Sequence, residues 1–170
     1  MMKEISDQIK DQKISHIILQ AGVGGMAAAM IAGVAKYLNY APKIIIVEPD
    51  NAACVLESIK SEKIKKISIK EESIMGGMSC GEPSLVPWQI LKNATSYCVT
   101  VSDDCVSKTV KYLANSYFSN EKIIGGECST PGIISLIGMC NDEKTRKKLS
   151  LNEDSKVLLF GCEGDADEEL

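Results

Sequence analysis

Residues 43–47 read Lys-Ile-Ile-Ile-Val, a β-branched apolar run with no polar alternation. A half-exposed strand would alternate, and a surface helix would show a 3.6-residue period. A short run that is apolar throughout fits a strand covered on both faces, as in a parallel sheet. Residues 15–20 (Ser-His-Ile-Ile-Leu-Gln), 97–101 and 156–160 read as further strands, and 67–69 as a weak one. Helical patterns separate them. One runs from Gly25 to about residue 38, one over 51–61 with Asp50 or Asn51 as N-cap, and one over 86–93. A longer one follows Ser102, with Val106, Val110 and Leu113 on one face. Two more cover 132–139, with Pro131 in the first turn, and 142–149. Alternating β and α units of this kind predict a single α/β domain over residues 1–170, a three-layer αβα arrangement on a mostly parallel sheet.

Composition excludes several classes. With 170 residues and 45% hydrophobic content, the chain can bury a core and is not disordered. A net charge of −4 argues against a nucleic-acid partner. The longest apolar run, 23–34, is rich in glycine and alanine and too short for a bilayer, so no membrane association is expected. Met1-Met2-Lys3-Glu4 leads into a polar helix pattern rather than a secretory leader. Seven scattered cysteines, with no C-x-x-C and one histidine, make a zinc site of ordinary spacing unexpected. The odd count predicts a cytoplasmic chain with mostly buried thiols. His16, inside a strand, and Trp88 are expected to be packing residues, and the lysines from Lys63 to Lys66 a solvated face.

Chemistry concentrates in glycine clusters beside strand ends, where α/β sheets bind ligands. Gln20-Ala-Gly-Val-Gly-Gly-Met-Ala27 lies between a strand and a helix. Glycines there let the backbone approach a ligand, and the helix N-terminus favours a phosphate. Gly22-x-Gly24-x-x-Ala27 also matches the dinucleotide fingerprint, with Glu48 placed to hold a ribose, which keeps a Rossmann-type NAD-binding domain open. A second cluster, Gly125-Gly-Glu-Cys-Ser-Thr-Pro131, carries Glu127 at a strand-to-helix corner. A third, Phe160-Gly-Cys-Glu-Gly-Asp-Ala-Asp167, brings a thiol and three carboxylates after the last strand.

Taken in order, Leu19-Gln-Ala-Gly-Val-Gly-Gly-Met-Ala27, Ile46-Val-Glu-Pro-Asp50, Met78-Ser-Cys-Gly-Glu-Pro83, Gly126-Glu127 and Cys162-Glu-Gly-Asp-Ala-Asp167 resemble the second half of the diaminopropionate ammonia-lyases. These are pyridoxal-phosphate enzymes of the tryptophan synthase β-subunit type (fold type II). The resemblance implies part of that fold and an α,β-elimination of 2,3-diaminopropionate to pyruvate and ammonia, with pyridoxal 5'-phosphate as electron sink. It implies that Gly22, Val23, Gly24, Gly25 and Met26 cradle the cofactor phosphate. Glu127 would lie beside the cofactor ring or substrate, and Cys162 or Gly161 would face the pyridine nitrogen. It places Cys54 and Cys80 beside the active-site entrance as a disulfide pair. A serine- or threonine-dehydratase-like relative is the alternative within the fold. In the resembled enzymes the Schiff-base lysine and the acidic bases belong to the first half. The chain therefore reads as a C-terminal part that needs its missing N-terminal half, is inactive alone, and would form a homodimer in the whole enzyme.

Overall fold

A computed structural model describes residues 1–10 and 12–164 of the chain. Asp165 and Asp167 of the acidic turn lie outside the described residues. Four strands form one sheet: β1 (His16–Gln20), β2 (Lys43–Pro49), β3 (Thr95–Val101) and β4 (Val157–Leu158). Their order is β3-β2-β1-β4, and every pairing is parallel. Ile17 stands opposite Ile44 on one side and Leu158 on the other.

Strand alternation divides the apolar residues between two cores. Ile17, Leu19, Ile44 and Ile46 face one cluster with Met2, Met30, Ile31, Val34, Val55 and Leu91. These come from α1 (Met2–Ile9), α2 (Gly25–Tyr37), α3 (Cys54–Lys60) and α4 (Leu85–Ala94). Ile18, Ile45 and Val47 face the other, with Val106, Met139 and Leu149. Those belong to α5 (Val106–Ala114), α6 (Pro131–Asn141) and α7 (Glu143–Leu149). Helices cover both faces, which gives the expected three layers. Each fully buried Ile or Leu contributes about 1.5–3 kcal/mol of transfer free energy. Gly33 lets α1 close on α2, since a Cβ there would lie 2.5 Å from the Met2 Cβ.

Pro131 occupies the first turn of α6, and Asp142 caps α7 by accepting from the Thr145 amide at 2.8 Å. His16 is buried; its Nε2 meets the Leu149 carbonyl at 3.0 Å, where Lys43 Nζ also donates. Trp88 is buried as well, so both are packing residues. No helix among the described residues is long and apolar enough to cross a membrane.

Three expectations are corrected. Residues 67–69 form no strand: the edge beside β2 is taken by β3, and Ile67 instead donates its amide to the Gly81 carbonyl at 2.8 Å. The helix expected from residue 51 begins at Cys54, after a 3₁₀ turn over Asp50–Ala52. Its amides at Val55 and Leu56 are capped from β2, by Glu48 at 2.7 and 2.8 Å, rather than by Asp50 or Asn51. Finally, the thiols are not mostly buried: Cys54 and Cys128 are, Cys80 and Cys98 are half-buried, and Cys105, Cys140 and Cys162 are exposed. Cys105 and Cys140 sit at solvent-facing helix ends, where small side chains have no core to enter.

Candidate functional site

β1 is the strand at which connections change direction. The chain leaves it for β2 on one side and returns from β3, across the sheet, to β4 on the other. In open α/β sheets the crevice at the carboxyl end of such a strand is where ligands bind. A cavity of about 360 Å³ opens there, within the size range of small-molecule sites. Gln20 at the end of β1, Gly22 to Met26 after it, Gly77 and Met78, and Cys128, Cys162 and Glu163 line it. Four segments far apart in sequence thus converge on one point.

The glycine loop is built for close approach. Gly24 has φ +90°, a left-handed conformation that strains any L side chain. A Cβ on it would also strike Leu91 Cδ1 at 2.6 Å. Gly25 is different: a Cβ there would meet nothing within 4 Å. Because Gly25 begins α2 and no side chain caps the helix, its first amides stand open toward the cavity. Uncapped N–H groups at the positive end of a 13-residue helix form an anion site suited to a phosphate.

The opposite wall joins two segments. The Cys128 amide donates to Glu163 Oε2 at 2.6 Å, and the Gly126 amide to the Glu163 carbonyl at 3.3 Å. Ser129 Oγ bonds the Glu163 carbonyl and amide at 2.8 and 3.1 Å. Gly126 is favoured by the tight approach of the last segment, since a Cβ there would lie 2.9 Å from the backbone carbonyl of Gly164 and 2.9 Å from the Glu163 Cγ. Cys162 Sγ donates to the Cys128 carbonyl at 3.6 Å. Burial pushes the Cys128 thiol up to about 11, and partial desolvation followed by the Glu163 charge holds Cys162 above its ordinary value. Both sulfurs are therefore neutral, weakly polar surface at neutral pH.

Gly22, Val23, Gly24, Gly25, Met26 and Cys162 all line this one cavity. Glu127 does not join them. It is half-buried in the 3₁₀ turn Glu127–Ser129, outside the residues that line the cavity, while its neighbour Cys128 faces in. Cys54 and Cys80 flank Gly22 as free thiols. Gln20, Gly77, Met78 and Cys128 enter the site through the fold. Gln20 carries a signal in the sequence, a polar residue closing an apolar strand; Gly77 and Met78 approach through long-range packing.

The dinucleotide alternative loses its acidic residue. Glu48 is fully buried with both oxygens on the Val55 and Leu56 amides, which leaves nothing for a ribose. No lysine lines the cavity among the described residues. The residues fit a phosphate ester: open amides at a helix start, a glycine without steric limit, and on the opposite wall two neutral thiols with the Glu163 carboxylate tied to the Cys128 amide.

Residues 1–163 match the family described as pyridoxal-phosphate dependent enzymes. The chain is 34% identical, over 174 residues, to diaminopropionate ammonia-lyase from Escherichia coli (strain K12), a match covering 96% of this chain and 43% of that enzyme. The crystal structure of the Escherichia coli enzyme in complex with D-serine superposes with a TM-score of 0.85 at 32% identity, over 98% of this chain and 43% of that one. Serine racemase from maize superposes with a TM-score of 0.78 at 18% identity, over 97% of this chain and 48% of that one, a likeness of fold. The chain thus spans under half the length of the ammonia-lyases it matches.

Proposed function

This chain belongs to the pyridoxal-phosphate dependent enzymes, and from that membership we propose that it supplies the phosphate-binding part of an ammonia-lyase acting on 2,3-diaminopropionate. The observation that carries the reading is the uncapped start of α2 opening into the cavity at the carboxyl end of β1. Bound there, pyridoxal phosphate supplies an electron sink for removing the substrate's α-proton and expelling its β-amino group.

This chain's own residues do the holding. The Gly24-Gly25-Met26 amides and the α2 dipole bind the phosphate, and Gly25 leaves it room. The Glu163–Cys128 wall would close the far side of the bound cofactor, and Cys162 or Gly161 would face its pyridine nitrogen. The lysine that anchors the cofactor and the acids that move protons come, in this reading, from the portion of the relatives this chain does not span. That portion is the partner, the active enzyme is a homodimer, and this chain alone turns over no substrate.

The test is an absorbance titration with pyridoxal phosphate, followed by borohydride trapping and peptide mapping. The expected result is binding that inorganic phosphate competes away, with no single lysine labelled. A stoichiometric adduct on one lysine of this chain would mean that the catalytic unit is complete here.

A further inference from the structure

β4 pairs with β1 for two residues only, His16 with Val157 and Ile17 with Leu158. Beyond Leu158 no ladder holds the chain to the sheet, yet Cys162 and Glu163 form one wall of the cavity. Gln20 lies three positions past Ile17, the last residue of β1 that pairs with β4, and is buried. Its Nε2 donates one hydrogen to the Phe160 carbonyl at 2.6 Å and the other to the Cys128 carbonyl at 3.1 Å. The amide side chain therefore takes over where the backbone ladder stops. It ties both wall segments to the strand that leads directly into the glycine loop.

Two details make this more than core packing. The Cys128 carbonyl that Gln20 holds is the same one that receives the Cys162 thiol, so one bond sets the position of both cavity-lining sulfurs. Gln20 Oε1 is left buried with no partner, and both amide hydrogens are committed to carbonyls, so the group cannot be turned over. A buried orphan oxygen is unfavourable and calls for a reason. An apolar residue, such as those at the preceding three strand positions, would avoid it but could not donate to two carbonyls.

Resting on the reading of the cavity as the pyridoxal-phosphate site, we infer that Gln20 is a positioning residue for the cofactor ring, fixing the Cys128–Cys162–Glu163 wall at a set distance from the phosphate loop. Its side chain hydrogen-bonds neither the glycine-loop amides nor the helix that carries them. Its loss frees the wall and leaves the phosphate loop as it is. A residue with a purely structural role would weaken both.

The experiment compares the chain with Gln20→Met and Gln20→Asn, measuring dissociation constants for pyridoxal phosphate and for inorganic phosphate, and the melting temperature. Gln20→Met keeps length but removes both donors. Gln20→Asn keeps donors with shorter reach. The inference predicts that Gln20→Met loses at least tenfold in pyridoxal-phosphate affinity, that Gln20→Asn loses less, and that phosphate affinity stays within twofold in both. Equal losses for both ligands, unchanged pyridoxal-phosphate affinity, or failure of both variants to fold would each overturn it. Should the unaltered chain bind phosphate but no pyridoxal phosphate, the cofactor reading falls first and the inference with it.

Discussion

Gly22 is the residue at which the loop is most tightly gripped. A Cβ on it would lie 2.7 Å from the Gly77 carbonyl and 2.9 Å from the Cys80 sulfur. On its other side Cys54 donates its thiol to the Gly22 carbonyl at 3.5 Å. Burial, and then the charge of Glu48, push the Cys54 thiol up to about 12, so it is almost wholly protonated at neutral pH and a poor nucleophile. The family resemblance implies a bond between these two sulfurs, which stand free in the structure. If it forms, protein purified without reductant and unfolded should titrate two fewer thiols than its seven cysteines. A count of seven dismisses the pair. At this scale the glycines were legible in the sequence, because three in four positions before a helix exceed the needs of a turn. The partners of Glu163 and Gln20 were not, since each bonds a residue more than thirty positions away.

Glu48 shows how an element can be fixed by a residue outside it. Its carboxylate, at the end of β2, replaces the N-cap that α3 lacks. Burial raises its pKa from 4.5 to about 7, with the two backbone hydrogen bonds opposing that rise. The sign follows from proton binding: between pH 4.5 and 7 the folded chain holds a proton that the unfolded chain has released. Glu48 therefore contributes stability at low pH that is lost as pH rises through this window, by up to about 3 kcal/mol. Denaturant midpoints measured at pH 5 and pH 8 should fall with pH, and Glu48→Gln should flatten that fall. An identical slope in the variant would remove Glu48 as the cause. Local pattern alone offers Asp50 and Asn51 as caps, because capping preferences are short-range, and here the tertiary partner prevails. The same limit explains residues 67–69, whose alternation is too short to compete with β3 for the edge of β2. The long apolar strands and Pro131 were readable because burial and backbone geometry act on them directly.

At the scale of the whole molecule, the two cores account for the sheet but not for the surface beside the site. Leu85 and Val86 at the start of α4 are 73% and 76% exposed, and Ile74, Ile123 and Ile124 are also exposed. Among the described residues β3 has one neighbouring strand, leaving its outer edge open. Open edges and exposed apolar side chains favour association. Sedimentation velocity should show self-association that rises with concentration and that Leu85→Ser/Val86→Ser reduces; a monomer at all concentrations would contradict this. The architecture was legible from the order of apolar strands and helices. That the glycine clusters at strand ends would meet was legible as well, because α/β sheets bind ligands there; that they meet at the end of β1 was not, because it depends on β4 returning to the far side of β1.

The most direct measurement of the central claim, that the start of α2 holds the cofactor phosphate, is ligand binding by Gly25→Asp. Nothing lies within 4 Å of a Cβ at this position, so the substitution leaves the packing alone and places a carboxylate where the phosphate would sit. The account predicts an unchanged melting temperature with at least tenfold weaker binding of both pyridoxal phosphate and inorganic phosphate. Undiminished binding of either ligand by a folded Gly25→Asp chain would place the phosphate elsewhere and contradict the account.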